Sequence, residues 1–212
     1  MTIANEMSDQ AGMPRQKSFC NKSIKRDGVI ATTENMPGGA ALHPGDVLEA
    51  MNGKTIEVNN TDAEGRLILA DALAAADEEA PDYLIDLATL TGAARTALGP
   101  ELPPVYCDDD GFCEKLREAA SREADPLWRM PLWTNYAKGL ESRIADLKST
   151  GDGAFAGSIY GALFLKRFVS KAKIWVHSDI YAWNPETRPG RPHGGEAQTI
   201  RAFYSALGAG LS

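Results

Sequence analysis

Hydrophobic and polar positions along this chain sort into strands and helices from residue 27 onward, whereas residues 1–26 are polar, follow neither period and are expected to be irregular. Residues 28–33 (GVIATT) form a short β-like run closed by the turn signal Pro37-Gly38-Gly39. In residues 42–58 (LHPGDVLEAMNGKTIEV) the pattern predicts strand, turn, strand. Asn52-Gly53 marks the hairpin because both residues tolerate positive φ. Leu67, Leu69, Ala70, Leu73, Ala74 and Ala76 then make a broad helical stripe, with Asp62 and Glu64 at its start.

The run YLIDLATL (83–90) lies between Pro81 and Gly92 and reads as a buried strand. Residues 111–124 predict a charged amphipathic helix, and GSIYGALFLKRFV (157–169) a more apolar one. KIWVHSDIYAW (173–183) is strand-like, and a last helix is expected over residues 196–207. Strands alternating with helices predict an α/β fold, a central mixed sheet with helices on both faces. The domain organisation expected is an irregular segment over 1–26 and one α/β unit over 27–212.

Composition narrows the function classes. The 212 residues are 43% hydrophobic and 24% charged, as in soluble globular chains, so disorder over the whole length is excluded. The net charge of −7 argues against nucleic acid as a main partner, because phosphate binding needs a concentrated basic face. Cys20, Cys107 and Cys113 form no CxxC pair and are read as reduced thiols. No stretch approaches the ~20 apolar residues of a membrane span. The N-terminus has no apolar signal-peptide core. No membrane association and a cytoplasmic location are the expectations.

The chemistry concentrates in Asn60-Thr61-Asp62-Ala63-Glu64-Gly65-Arg66-Leu67. In an extended segment, two carboxylates two residues apart point the same way. At a helix N-terminus they meet backbone N–H groups that favour negative charge. A divalent cation would relieve their repulsion, and Arg66 could hold a carboxylate or carbonate bidentately. The plainer alternative is an N-capping Asp followed by first-turn acids. Alternation places Trp175, His177 and Asp179 on one strand face, with His177 expected as a hydrogen-bonded core histidine. His43 and His193 sit beside prolines without ligand spacing. Asp108-Asp109-Asp110 reads as a solvated turn. Trp128, Trp133 and Tyr136 are assigned to packing, and Lys148-Ser149-Thr150-Gly151 lacks the upstream glycines of a phosphate loop.

NTDAEGRL resembles the signature octapeptide of the leucyl aminopeptidase (cytosol aminopeptidase) family. GVIATTENMPGGAALHPGDVLEAMNGKTIEV resembles the segment before that signature, DLATLTGA the strand and loop after it, and WVHSDIYAWNPETRPGRPHGGEAQTIRAFY the C-terminal end of the compact bacterial branch. The match runs in order from about Gly28 to Leu207. The resemblance implies a two-metal exopeptidase fold and release of N-terminal amino acids such as leucine from peptides. It implies Asp62 and Glu64 as ligands of paired Zn or Mn ions, and Arg66 as the holder of a bicarbonate that acts as general base. Thr89, Leu90 and Gly92 would border the substrate's N-terminal residue. Peptide N-termini and a homohexamer are the implied partners.

The family's remaining metal ligands and its catalytic lysine lie in a Lys-Gly…Asp-Ser-Gly-Gly…Lys run followed by Lys-x-Asp-Met, which residues 1–27 do not match. The expectation is a partial catalytic domain, incomplete at its N-terminal side, with weak or absent metal binding and little or no peptidase activity. Two other classes stand beside it. One is a catalytically silent subunit of the same fold. The other is a PDZ-like peptide-binding module, suggested by the single hairpin PGDVLEAMNGKTIEV.

Overall fold

The structure is a computed structural model that describes residues 27–33, 36, 38, 39 and 41–208. The elements in chain order begin with β1 (Val47–Glu49), β2 (Thr55–Glu57), a 3-10 turn (Thr61–Ala63), α1 (Glu64–Asp77) and β3 (Tyr83–Ala88). They continue with α2 (Gly92–Leu98), β4 (Pro104–Cys107), α3 (Asp110–Arg122), β5 (Trp128–Arg129) and a 3-10 helix (Thr134–Leu140). The last are β6 (Leu147–Lys148), α4 (Gly157–Lys166), β7 (Ile174–Asp179), β8 (Trp183–Asn184), β9 (Gly194–Gly195) and α5 (Ile200–Gly208).

The central sheet has the order β3-β7-β4-β5 and is mixed: β3 runs parallel to β7, β4 antiparallel to β7, and β5 parallel to β4. Side-chain alternation divides its two faces. Trp175, Tyr106 and Ala88 join the core formed with α1 and α4. Val176, Val105 and Cys107 join a second core formed with α3 and α5. Helices therefore cover both faces, as the sequence predicted. Among the described residues β3 is an edge strand whose Tyr83 is exposed, so YLIDLATL is less buried than its apolar content suggested.

Local signals explain most elements. α1 buries Leu67, Leu69, Ala70, Leu73 and Ala74, the positions of the predicted stripe. At its end the Asp77 carboxylate accepts backbone N–H groups of Ser170, Lys171 and Ala172 at 2.7–3.0 Å, tying α1 to the segment that enters β7. α3 is capped by Asp109, whose Oδ1 accepts Phe112 N–H at 2.6 Å. The β1–β2 hairpin forms as expected, yet only Gly53 takes positive φ (81°), with its N–H bonded to Ala50 O at 2.8 Å. The turn thus has one left-handed residue, at the glycine, rather than two. β2 also pairs with β6, so the hairpin is part of a three-stranded sheet.

Several expectations need correction. Residues 28–33 form no named strand. The strand predicted over 173–183 ends at Asp179, because Ala182 turns at φ 55°. The last helix starts at Ile200 rather than near 196, since Thr199 sits at φ 67°. Asp108 and Asp110 are exposed, as a solvated turn requires, and each is also paired: Asp108 with Lys166 at 2.7 Å and Asp110 with Arg129 at 2.6 Å. Trp128 and Trp133 are exposed instead of packed, and Tyr136, also exposed, stacks on Tyr160 with ring centroids 5.7 Å apart.

Candidate active site

Asp62 and Glu64 do not lie in an extended segment. Thr61–Ala63 is a 3-10 turn and Glu64 opens α1. Within helical backbone, positions two apart are separated by about 200° around the axis, so the alternation argument for a shared direction fails. The Asp62 carboxylate is exposed and makes no hydrogen bond or ion pair among the described residues. Glu64 is half-buried and lines a groove of about 450 Å³ with Leu48, Glu49, Leu67, Ile68 and Asp71. The N-capping role does not fall to Asp62 either. Asn60 takes it, its Oδ1 accepting Asp62 N–H at 3.0 Å.

Arg66 is the buried member of the motif, 7% exposed. Its Nη1 donates to Ser149 O at 2.9 Å, and its guanidinium lies over the Phe164 ring, 6.0 Å from the centroid. Its Nε is buried with no partner among the described residues. Burial pushes the guanidinium down to about 10, against the opposing pull of Asp179 and Glu64, so it stays cationic at neutral pH. A buried cation with a spare donor is a costly arrangement unless something negative satisfies it.

Asp179, at the end of β7, lies within electrostatic reach of this cation and organises the turn after β3. Its Oδ1 accepts Leu90 N–H at 3.0 Å and Thr91 N–H at 3.1 Å. Its Oδ2 accepts the Thr91 hydroxyl at 2.6 Å and the Ser158 hydroxyl at 3.2 Å. Tyr106 completes the chain by donating to Ser158 Oγ at 2.7 Å, and burial pushes its own hydroxyl up. Thr91 in turn caps α2 by accepting Ala94 N–H at 3.2 Å. The turn bearing Thr89, Leu90 and Gly92 is therefore held by one carboxylate. Leu90 also rests against Gly161 of α4, where an added Cβ would come within 3.0 Å of its Cδ2.

One step further into the sheet, Asp86 of β3 and His177 of β7 are register partners. His177 Nδ1 donates to Asp86 Oδ1 at 2.5 Å, and Trp175 Nε1 donates to Asp86 Oδ2 at 2.9 Å. His177 is thus the hydrogen-bonded core histidine that alternation suggested. Sequence reasoning did not single out Asp86, Thr91, Ser158 or Asp179 for this network. A usable signal existed for Asp86: a carboxylate amid the apolar YLIDLATL demands a buried donor.

Of the six residues singled out in sequence, Leu90 is bonded to Asp179, Thr89 and Gly92 lie on the same stretch of chain, and Arg66 is within electrostatic reach of Asp179 and Glu64. Asp62 stands apart at the surface. Among the described residues no group of three or more His, Cys, Asp or Glu could hold a metal ion.

Comparison with known proteins adds a second line. The profile of the cytosol aminopeptidase family, catalytic domain, matches residues 16–204. A probable cytosol aminopeptidase of Synechococcus sp. (strain CC9902) is 49% identical over 179 residues, 84% of this chain and 36% of that protein. One of Cyanothece sp. (strain PCC 7425 / ATCC 29141) is 53% identical over 152 residues, 72% of this chain and 30% of that protein. Among solved structures, the cytosol aminopeptidase of Coxiella burnetii aligns with a TM-score of 0.79 at 48% identity, over 86% of this chain and 39% of that one. A mutant tomato leucine aminopeptidase aligns with a TM-score of 0.75 at 41% identity, over 85% of this chain and 35% of that one. The chain spans about a third of the length of the curated relatives it matches, 36% and 30% in the two cases given.

Proposed function

Because the chain belongs to the cytosol aminopeptidase family through its catalytic domain, we propose that it serves the release of N-terminal amino acids, leucine among them, from peptides. The observation that supports this reading most directly is Arg66, a buried guanidinium with a spare Nε beside the turn that bears Leu90. In this reading Thr89, Leu90 and Gly92 border the peptide's first residue, with Asp179 fixing the turn on which they sit.

Family membership implies divalent metal ions, Zn or Mn, and a bicarbonate. The anion fits the residues present: Arg66 Nε is an unmatched donor on a cation, and a bicarbonate held there would supply a base for the attacking water. The metal ions do not fit the described residues. Asp62 and Glu64 are two carboxylates on different sides of a helical turn, whereas each ion needs roughly four to six ligands. No catalytic step is therefore assigned to a metal on this chain. Weak divalent binding and slow turnover are the expected behaviour of the chain by itself.

The names of the relatives support a cytoplasmic setting, and copies of the same chain, in a hexamer, are the proposed assembly partners. A second reading, a catalytically silent subunit, is favoured by the incomplete donor set among the described residues. Hydrolysis of a leucyl amide by the full chain with added Mn²⁺ and bicarbonate tests both. The first reading expects slow cleavage that bicarbonate raises and Arg66→Ala abolishes. Cleavage indifferent to both overturns it, and complete inactivity with no bound Mn²⁺ supports the silent subunit. Saturable cleavage at micromolar Mn²⁺ would show that the donor set is complete after all.

A further inference from the structure

The fold brings two of the three cysteines together on the face of the sheet opposite to Arg66. Cys107 ends β4 and Cys113 lies in the first turn of α3, both on the face packed against α5. The Cys113 thiol donates to the backbone oxygen of Cys107 at 3.9 Å. Asp109 N–H donates to Cys107 Sγ at 3.4 Å. Both residues are shielded, 3% and 8% exposed. Asp108, Asp110 and Gly111, in the turn that joins them, are all exposed. Arg129 closes the other side, its Nη2 donating to Cys107 O at 3.1 Å and pairing with Asp110 at 2.6 Å.

We propose that Cys107 and Cys113 are a modification site, a dithiol that small peroxides oxidise to an intrachain disulfide. The inference is independent of the peptidase reading. Cys113 Sγ already packs 3.9 Å from the backbone oxygen of Cys107, across one short turn between β4 and α3, so the pair has little distance to close to the S–S bonding distance of about 2.05 Å. The roles follow from the local donors. The hydrogen bond from Cys113 holds the Cys107 thiol below its ordinary range against the effect of burial, and the Asp109 N–H adds to it. Donating that same bond, together with burial, pushes Cys113 up. Cys107 is thus the sulfur that carries the negative charge and attacks first.

In the first step the Cys107 thiolate attacks the near oxygen of the peroxide, the O–O bond breaks, and the leaving alkoxide or hydroxide takes a proton. The product is a sulfenic acid on Cys107, the sulfur oxidised by two electrons and the peroxide reduced by two. Cys113 then attacks that sulfur, the S–O bond breaks, and water leaves with the Cys113 proton. Gly111 supplies a backbone without a Cβ in the short connection that must adjust as the sulfurs close.

Lys115 and Arg95 place both cysteines in one tryptic peptide, residues 96–115, and leave Cys20 in another, residues 18–22. The full chain is treated with hydrogen peroxide, alkylated in denaturant, digested and weighed. The expected result is that peptide 96–115 resists alkylation, is lighter by two hydrogens, and takes two alkyl groups after reduction. In Cys113→Ser the same peptide should instead gain one oxygen on Cys107, trapped by a sulfenic-acid-directed diketone. Full alkylation of both thiols at peroxide levels that oxidise Cys20 overturns the proposal. So does direct passage to sulfinic acid without loss of the two hydrogens.

Discussion

Asp86 on β3 and His177 on β7 sit at paired positions of a parallel ladder and share a hydrogen bond of 2.5 Å inside the core. The Asp86 carboxylate also accepts from Trp175, so one side chain satisfies two buried ring N–H donors. Asp86→Ala removes both acceptors at once. The expected loss is about 3–5 kcal/mol, the range for breaking a buried charged pair, measured by urea unfolding. A loss under about 1 kcal/mol would show that water replaces the carboxylate.

Asp77 carries a pH prediction. Burial pushes its carboxyl up, but the N–H groups of Ala172, Ser170 and Lys171 and the Ser170 hydroxyl outweigh that and hold it below the usual carboxylate range. A depressed folded value means that the ionised form is the stabilising one. The contribution is complete above the ordinary Asp range near 3.9 and is lost as pH falls through the lower folded value. Asp77→Asn should lower stability at neutral pH by about 2 kcal/mol and flatten the acid limb of the urea midpoint against pH. An unchanged acid limb would remove Asp77 from the account.

Tyr160 of α4 is wedged between two glycines. A Cβ at Gly151 would lie 2.4 Å from its ring, and one at Gly139 2.6 Å from its Oη. Gly151→Ala should therefore cost about 1–3 kcal/mol through overpacking. Combining it with Tyr160→Leu should recover part of the loss, so the double-mutant cycle shows coupling. Additive effects in thermal unfolding would mean that the segment moves aside instead.

Arg66 separates stability from function. Replacing a buried, incompletely bonded charge by an apolar side chain of similar length is often neutral or stabilising. Arg66→Met is expected to leave stability within about 1 kcal/mol of the parent or raise it, while abolishing bicarbonate binding followed by carbon-13 resonance broadening. A large loss of stability with anion binding intact would make the guanidinium structural.

Asp179 accepts four hydrogen bonds, three of them from the turn, and Asp179→Ala leaves the Leu90 and Thr91 N–H groups without an acceptor. Hydrogen exchange at the start of α2 should then accelerate at least tenfold, equivalent to about 1.4 kcal/mol of local stability. Protection unchanged at Thr91–Ala94 would overturn this.

Much of the architecture follows from local pattern alone. The spacing of Leu67, Leu69, Ala70 and Leu73 specifies α1 and its buried face, Asn52-Gly53 locates the hairpin, and the alternation of Trp175, Val176 and His177 gives β7 its two faces. These signals act within one or two turns of chain, where periodicity and φ preference operate. NTDAEGRL likewise marks the family within eight residues.

The site itself depended on the tertiary fold. Arg66 meets Ser149 across 83 positions, Asp179 meets Leu90 across 89, and Asp86 meets His177 across 91. Such contacts depend on strand register and on which helix lies over which face, and no local period encodes them. For the same reason alternation misjudged Asp62 and Glu64: it assumed extended backbone, and a helical turn carried one carboxylate to the surface and the other into a groove. The sequence determined which residues are available for chemistry. The packing of α1 and α4 against the sheet decided which of them are buried, paired and left with an unmatched donor.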